Sequence, residues 1–237
     1  MIGTLINGVC IILGGLIGAF AAERITPAVQ GKIKLLLVLA TLFVATQMMF
    51  AGLHGGFLHG LGQFGIAMLS MVLGNAIGML LRLQKGLNKL GEYAKEKMAG
   101  SDTSNNKFNE GFVTCTILFC VGPMAIIGSI QDGLHGDYNI LAVKGIMDGT
   151  ATIGFTAMFG WGAALAAVPV ISYQGTLTLC AGVIAPHLDP EMLRSIQVTG
   201  GMLILPIILV ILGVGRVPLA NYLPALIVAP VLTHWWM

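Results

Sequence analysis

Residues 61–97 read LGQFGIAMLSMVLGNAIGMLLRLQKGLNKLGEYAKEK. From Leu61 to Leu81 there is no Asp, Glu, Lys or Arg. That is long enough to cross a hydrocarbon core about 30 Å thick, which needs roughly 20 helical residues. The pattern then changes at Arg82. Leu83, Leu87 and Leu90 fall on one helical stripe, and Lys85, Lys89 and Glu92 decorate the opposite side. An apolar span running directly into a basic amphipathic segment marks a membrane protein with a helix lying at the cytoplasmic interface, its cations near anionic lipid. Residues 99–107 read as a polar linker, so 82–107 form an interfacial helix and linker.

Working outward, apolar segments recur near 2–22, 33–53, 61–81, 108–130, 140–159, 161–185, 193–213 and 222–236. The expected fold is an all-α polytopic transmembrane bundle of about eight spans in one integral membrane domain, 1–237. The last segment is short, which leaves a seven-span chain with a re-entrant end as the alternative. Ten of the twelve Lys and Arg residues follow the first, third and seventh segments: Arg24, Lys32 and Lys34, then Arg82, Lys85, Lys89, Lys95, Lys97 and Lys107, then Arg216. Short basic loops stay cytoplasmic, so both termini are expected outside, with Trp235 and Trp236 as an interfacial anchor.

Composition agrees. Charged residues make up 9%, against about 25% in an ordinary soluble domain, and 56% are hydrophobic. A net charge of +2, with its cations at membrane edges, argues against nucleic acid as a partner. MIGTLINGV lacks the basic start of a signal peptide, so the first segment is expected to be kept as a span. The cysteines, Cys10, Cys115, Cys120 and Cys180, lie inside apolar segments and read as small buried hydrophobes.

The first half contains a repeat. Ile12–Gly18, ILGGLIG, parallels Val72–Gly78, VLGNAIG, at an offset of sixty. Leu42-Phe43, Met48 and Gly52 parallel Leu118-Phe119, Met124 and Gly128 at seventy-six, the difference being the basic helix and linker. The repeated unit is a helical hairpin. Gly14/Gly18, Gly74/Gly78 and Gly145/Gly149 are small-residue pairs four apart, suited to close helix packing within the bundle or across a homo-oligomer. Pro123, Pro169 and Pro230 fall inside even-numbered segments, where proline frees backbone carbonyls.

Chemistry concentrates between Gly122 and Thr156. Asp148 stands about 12 Å below the outer end of its segment at 1.5 Å per residue, where an ionised carboxylate needs water, a cation or a partner. Its functional reading is a ligand for a coupling ion or solute, assisted by Thr152, Gln131 and Asp132. Gly149 would leave room at the backbone, and Pro123 would supply freed carbonyls. The structural alternative pairs Asp148 with Lys144 at i−4. Asp132 has its own bland reading, a surface aspartate at a helix end. Asn75 and Gln174 join Asp148 as lining residues, and Asn7, Gln47 and Gln197 are further amides within spans. His54 and His59 share a glycine-rich outer loop and read as loop residues, with metal binding the lesser reading; no metal or cofactor is expected. No nucleotide-binding loop with its Lys, His-Glu-x-x-His or Gly-x-Ser-x-Gly occurs, so an enzyme is not expected.

GPMAIIGSIQDG at 122–133, LAVKGIMDGTATIGF at 141–155, Tyr173-Gln174-Gly175 and Ala220–Leu226 together resemble the YqgA/YdfK family of bacterial membrane proteins, catalogued chiefly as a domain of unknown function. The resemblance covers essentially the whole chain. It implies a bacterial inner-membrane protein, with transport as the expected class, and brings no substrate or catalytic residues.

Two functions compete. The first is a transporter or channel for a small solute, driven by an ion such as Na+ or H+, built around Asp148. The second is a non-transporting membrane protein, an assembly factor or sensor, whose polar residues only hold the bundle together. A water-filled or ion-containing cavity touching Asp148 favours the first, and a dry, side-chain-satisfied Asp148 favours the second. An intramembrane enzyme acting on lipid is a distant third for want of a nucleophile and base.

Overall fold

The computed structural model describes residues 1–22, 26–98, 105–215 and 217–236. Expectations placed on Arg24, Arg216 and residues 99–104 lie outside the described residues, as do the side chains of Lys95, Lys97 and Pro123.

The described residues form helices and no strand. They are α1 (Ile2–Ala22), α2 (Pro27–Gly52), α3 (Phe57–Leu80), α4 (Leu83–Met98), α5 (Asn105–Val121), α6 (Pro123–His135), α7 (Asn139–Phe159), α8 (Gly162–Leu165), α9 (Ala167–Leu179), α10 (Ala181–Ile184), α11 (Pro190–Leu212) and α12 (Ala225–Trp236). Short 3-10 turns occupy Ala185–His187 and Leu219–Tyr222. The polarity of the faces is inverted relative to a water-soluble bundle. In α1, Thr4, Asn7, Gly14 and Gly18 are buried, while Val9, Leu13, Ile17 and Phe20 are exposed. Glycine and short polar residues let backbones meet, and the large apolar side chains face lipid.

Among the described residues, five helices are long and apolar enough to cross a membrane: α1, α2, α3, Gly162–Leu179 and α11. A sixth is reached if α5 and α6, bent by 60° at their junction, count as one broken span. The expected total of about eight is not confirmed among the described residues, for two reasons. α7 has the length, 21 residues, but carries Lys144 and Asp148 in its middle. α12 has only 12 residues, too few for a full crossing. Proline explains the breaks. Pro169 cannot donate to the carbonyl of Leu165, where α8 ends, and α6 starts at Pro123. Pro230, by contrast, lies within an unbroken α12.

In the segment 82–97, Leu90 of the expected apolar stripe is exposed. α4 starts one residue after Arg82, which takes a left-handed conformation (φ 54°) as the turn out of α3. Lys85, Lys89 and Glu92 are exposed and Leu83 and Leu87 half-buried.

The chain clusters into two compact units. The first comprises Met1–Leu37, Leu87–Cys120 and Met124–Ala185. Its centre is α1, packed parallel to α7 and antiparallel to α9: Gly3, Asn7 and Gly14 face Leu141, Gly145 and Gly149, while Gly15 and Gly8 face Ala164 and Ile171. The second comprises Val38–Gly86, Val121–Pro123 and Pro186–Met237. There α3 packs on α11 and α12, and the end of α2 runs antiparallel to α11, with Gly52 at Val198 and Met48 at Gly200. α11 begins with Asp189 accepting the Met192 N–H (2.8 Å), with Pro190 in its first turn, and ends at left-handed Gly213.

Candidate functional site in the first unit

α7 presents its glycine face to α1, which brings the chains close enough for their polar groups to meet. The opening at Gly149 is filled: a Cβ there would lie 2.7 Å from the Cys10 carbonyl oxygen. The expected room for a ligand at Gly149 is thus taken by α1, because the glycine pair is an interhelical contact. Buried beside this contact is an ion pair, Lys144 Nζ with Asp148 Oδ2. Both residues are buried, on adjacent turns of one helix face, and the Lys144 ammonium stands 5.8 Å from the centroid of the buried Phe119 ring. Asp148 therefore has the i−4 partner of its structural reading. Thr152 does not reach the carboxylate; its hydroxyl donates to the Asp148 backbone carbonyl (2.6 Å).

The pair has polar neighbours that are not satisfied. Asn7 of α1 is wholly buried beside Asp148, yet neither its Nδ2 nor its Oδ1 has a hydrogen bond of normal geometry. Gln174 of α9 is equally buried, and both its amide atoms also lack partners. Register places the two amides at one level. Ile171 abuts Gly8, and the Thr178 hydroxyl lies 3.5 Å from that of Thr4, so Gln174 occupies the α1-facing side of α9 between those contacts. While the Asn7 amide group interacts with the Asp148 carboxylate short of normal hydrogen-bond geometry, both Gln174 amide atoms and Asn7 Oδ1 are thus left without a partner at the level of the buried charge pair. Such groups usually hold ordered water or a ligand, because an unpaired buried donor or acceptor costs about 1–3 kcal/mol.

Asp132 has a different task from the one expected. It is buried, not at the surface, and both oxygens are engaged at the start of α1. Oδ2 accepts the Gly3 N–H (3.1 Å), and Oδ1 lies 2.9 Å from the Met1 amino group. A carboxylate there satisfies a donor that has no intrahelical partner and complements the positive helix end. Gly3 and Asn7 are separated by about 6 Å along α1 at 1.5 Å per residue, so Asp132 sits above Asp148 and outside its immediate shell. Gln131 is half-buried. Asn75 belongs to the second unit, where its Oδ1 is buried without a partner. Of the expected set, the structure brings Gln174 to the level of the Asp148 pair and assigns Asp132 and Thr152 to backbone. The chief residue not placed on that list was Asn7, legible only as one of several amides in spans. Its pairing with α7 depends on the parallel packing of α1.

Apolar outward faces, five or six helices fit to cross a bilayer and, among the described residues, buried charge engaged as a pair or a cap define an all-helical membrane protein. The chain belongs to the family described as protein of unknown function (DUF554), whose model matches residues 2–234. It is similar to the "Uncharacterized membrane protein YdfK" of Bacillus subtilis (strain 168), 32% identical over 233 residues, covering 98% of this chain and 95% of that one. It is also similar to the "Uncharacterized protein YqgA" of Escherichia coli (strain K12), 27% identical over 238 residues, covering 100% and 97% respectively. No solved structure matches. The family resemblance read from GPMAIIGSIQDG is thereby shown.

Proposed function

We propose that the chain is a small-solute transporter or channel of the bacterial inner membrane, coupled to an ion such as Na+ or H+, with its polar site at Lys144, Asp148, Asn7 and Gln174. The observation that carries this reading is the pair of wholly buried amides, Asn7 and Gln174, left open at the level of a buried ion pair. A solute or ion that offers donors and acceptors replaces the missing bonds, and a charged one can exchange with a member of the pair. In this reading the Lys144–Asp148 contact is the closed arrangement. Both termini lie outside, as the basic loops require, and a homo-oligomer completes the path of a chain of 237 residues. The glycine pairs do not support that oligomer, since Gly14, Gly18, Gly74 and Gly78 pack within the chain.

The second reading, a non-transporting membrane protein, is favoured by one specific observation: Asp148 already has Lys144 as its partner. One substitution set separates the two. Gln174→Leu removes two unpaired buried polar atoms and Asn7→Leu the amide beside Asp148, so the double variant should stay folded under either reading. Under transport it should also abolish the stabilisation or uptake produced by the responding ion or solute, found by thermal-shift screening and confirmed in proteoliposomes. Asp148→Asn should do the same. A responding solute whose uptake survives both changes would end the transport assignment at this site.

A further inference from the structure

The second unit holds a separate cluster that the Asp148 reading does not use. Left-handed Gly55 (φ +78°) turns the loop after α2 back on itself. The rings of His54 and His59 thereby meet edge to face, with centroids 4.9 Å apart. Across from them, Glu191 projects from the first turn of α11, a position held by the Asp189 cap. His54 Nε2 lies 3.0 Å from Glu191 Oε1, and His59 Nε2 lies 3.9 Å from Glu191 Oε2. One ligand atom from each of the three residues falls within 4.8 Å of the others.

Two details separate this cluster from a casual surface ion pair. The first is His59 Nε2, which is buried and has no hydrogen-bond partner although it points at the carboxylate. The second is Gln63, a buried amide that supports the other members. Its Oε1 accepts the His54 backbone N–H (3.1 Å), and its Nε2 lies 2.8 Å from His54 Nδ1 and 3.4 Å from Glu191 Oε2. Metal-binding histidines characteristically have their second ring nitrogen fixed by such an outer partner. The Arg194 Nε, 3.9 Å from Glu191 Oε1 and half-exposed, is the one cation among the described residues seen against the carboxylate besides the histidines.

We propose that His54, His59 and Glu191 bind a divalent transition-metal ion, of which Zn2+ is the best fit. Two imidazoles and one carboxylate form a borderline-soft donor set, matched to Zn2+ rather than to Ca2+ or Mg2+, and they leave a fourth position for water. That position is reachable, since the His54, His59 and Glu191 side chains are each part-exposed. The half-exposed His59 ring swings in to bring its Nε2 to ligand distance. His54 binds through Nε2, so its proton moves to Nδ1 and the Gln63 amide turns over to accept it, giving up its bond from the His54 backbone N–H. Arg194 moves aside into solvent. The site is independent of the transport reading, which rests on the first unit.

The Gln63 geometry makes the proposal sharp. A glutamate at that position accepts from both His54 Nδ1–H and His54 N–H, so it suits a metal-bound imidazole better than the amide does. Without a metal it sets a second carboxylate against Glu191. The test is calorimetric titration of Zn2+ into purified full-length protein stripped with chelator, with Mg2+ and Ca2+ in excess. One Zn2+ per chain is expected, weakened by His59→Ala or Glu191→Gln by more than the roughly 10- to 100-fold that loss of an outer-shell partner costs. His187→Ala should leave the isotherm unchanged. Because a ligand variant can unfold for other reasons, Gln63→Glu supplies the opposite sign: it should bind Zn2+ several-fold more tightly, with a larger Zn2+-induced thermal shift. Absence of saturable Zn2+ binding overturns the proposal, as does binding that survives the combined His54→Ala and His59→Ala change. Weaker binding by Gln63→Glu overturns it as well.

Discussion

Gly14/Gly18 in α1 and Gly74/Gly78 in α3 occupy matched positions of the repeat, yet the two units use them differently. In the first unit the pair receives α7 running parallel, with Gly14 at Gly149 and Gly18 at Ile153. In the second it receives the chain running antiparallel, with Gly74 at Ala225 and Gly78 at Asn221. Both contacts are backbone to backbone. What lies beside them also differs. α7 brings Lys144 and Asp148, with the open amides of Asn7 and Gln174 nearby. In the second unit, Asn221 Oδ1 accepts the Gln84 N–H (3.1 Å), and Gln84 Oε1 accepts the Ala220 N–H (3.0 Å), a closed exchange that leaves Asn75 Oδ1 unpaired nearby in α3. A small-residue pair therefore specifies that a helix will approach closely, while its partner, direction and chemistry come from elsewhere.

The largest test of this contrast is the ion pair. Lys144→Met should cost about 3–5 kcal/mol, because it leaves a buried carboxylate uncompensated. Lys144→Met combined with Asp148→Leu should recover most of the loss. Unfolding in detergent, followed by tryptophan fluorescence, measures both. A single variant costing under about 1 kcal/mol would mean that water already reaches the pair.

Next come the glycines. Gly14→Ala and Gly78→Ala should each cost about 1–3 kcal/mol, since the added methyl meets backbone that cannot rotate away. Equal losses would support equivalent use of the two pairs. A loss confined to one unit would show that the other contact yields. Asp132→Asn should cost less, about 1 kcal/mol, because the amide oxygen still accepts the Gly3 N–H while the charge at the start of α1 is lost. The same unfolding assay decides it, and no change would mean that the α1 start is satisfied without the carboxylate. Gly65→Ala should have the smallest effect, within about 1 kcal/mol, because no neighbouring atom lies within 4 Å of the new methyl.

Much of the helical frame was legible in the chain. The start of α4 was placed within one residue, because an amphipathic stripe and a change from apolar to basic are local signals. The Lys144–Asp148 pair was legible as an alternative, since i and i+4 share a helix face. The span total of about eight is not confirmed, because it counted segment length without weighing two charges in α7 or the shortness of α12. Asp132 was read as an assisting ligand of Asp148, with a surface helix end as the alternative, because its partner, Gly3, stands 129 residues away in sequence. Glu191 could not be joined to His54 and His59 for the same reason.

By itself, the sequence determined the class of this protein: apolar helical segments, basic edges and glycine pairs are properties of neighbouring residues and need no fold to be expressed. Which helix enters each glycine groove was decided only by tertiary structure, as were Asp132's place at the start of α1, the pairing of α1 with α7 and the meeting of Glu191 with two histidines. Those outcomes depend on packing between residues far apart in the chain, where shape and unpaired polar groups select the partner and no local pattern records it.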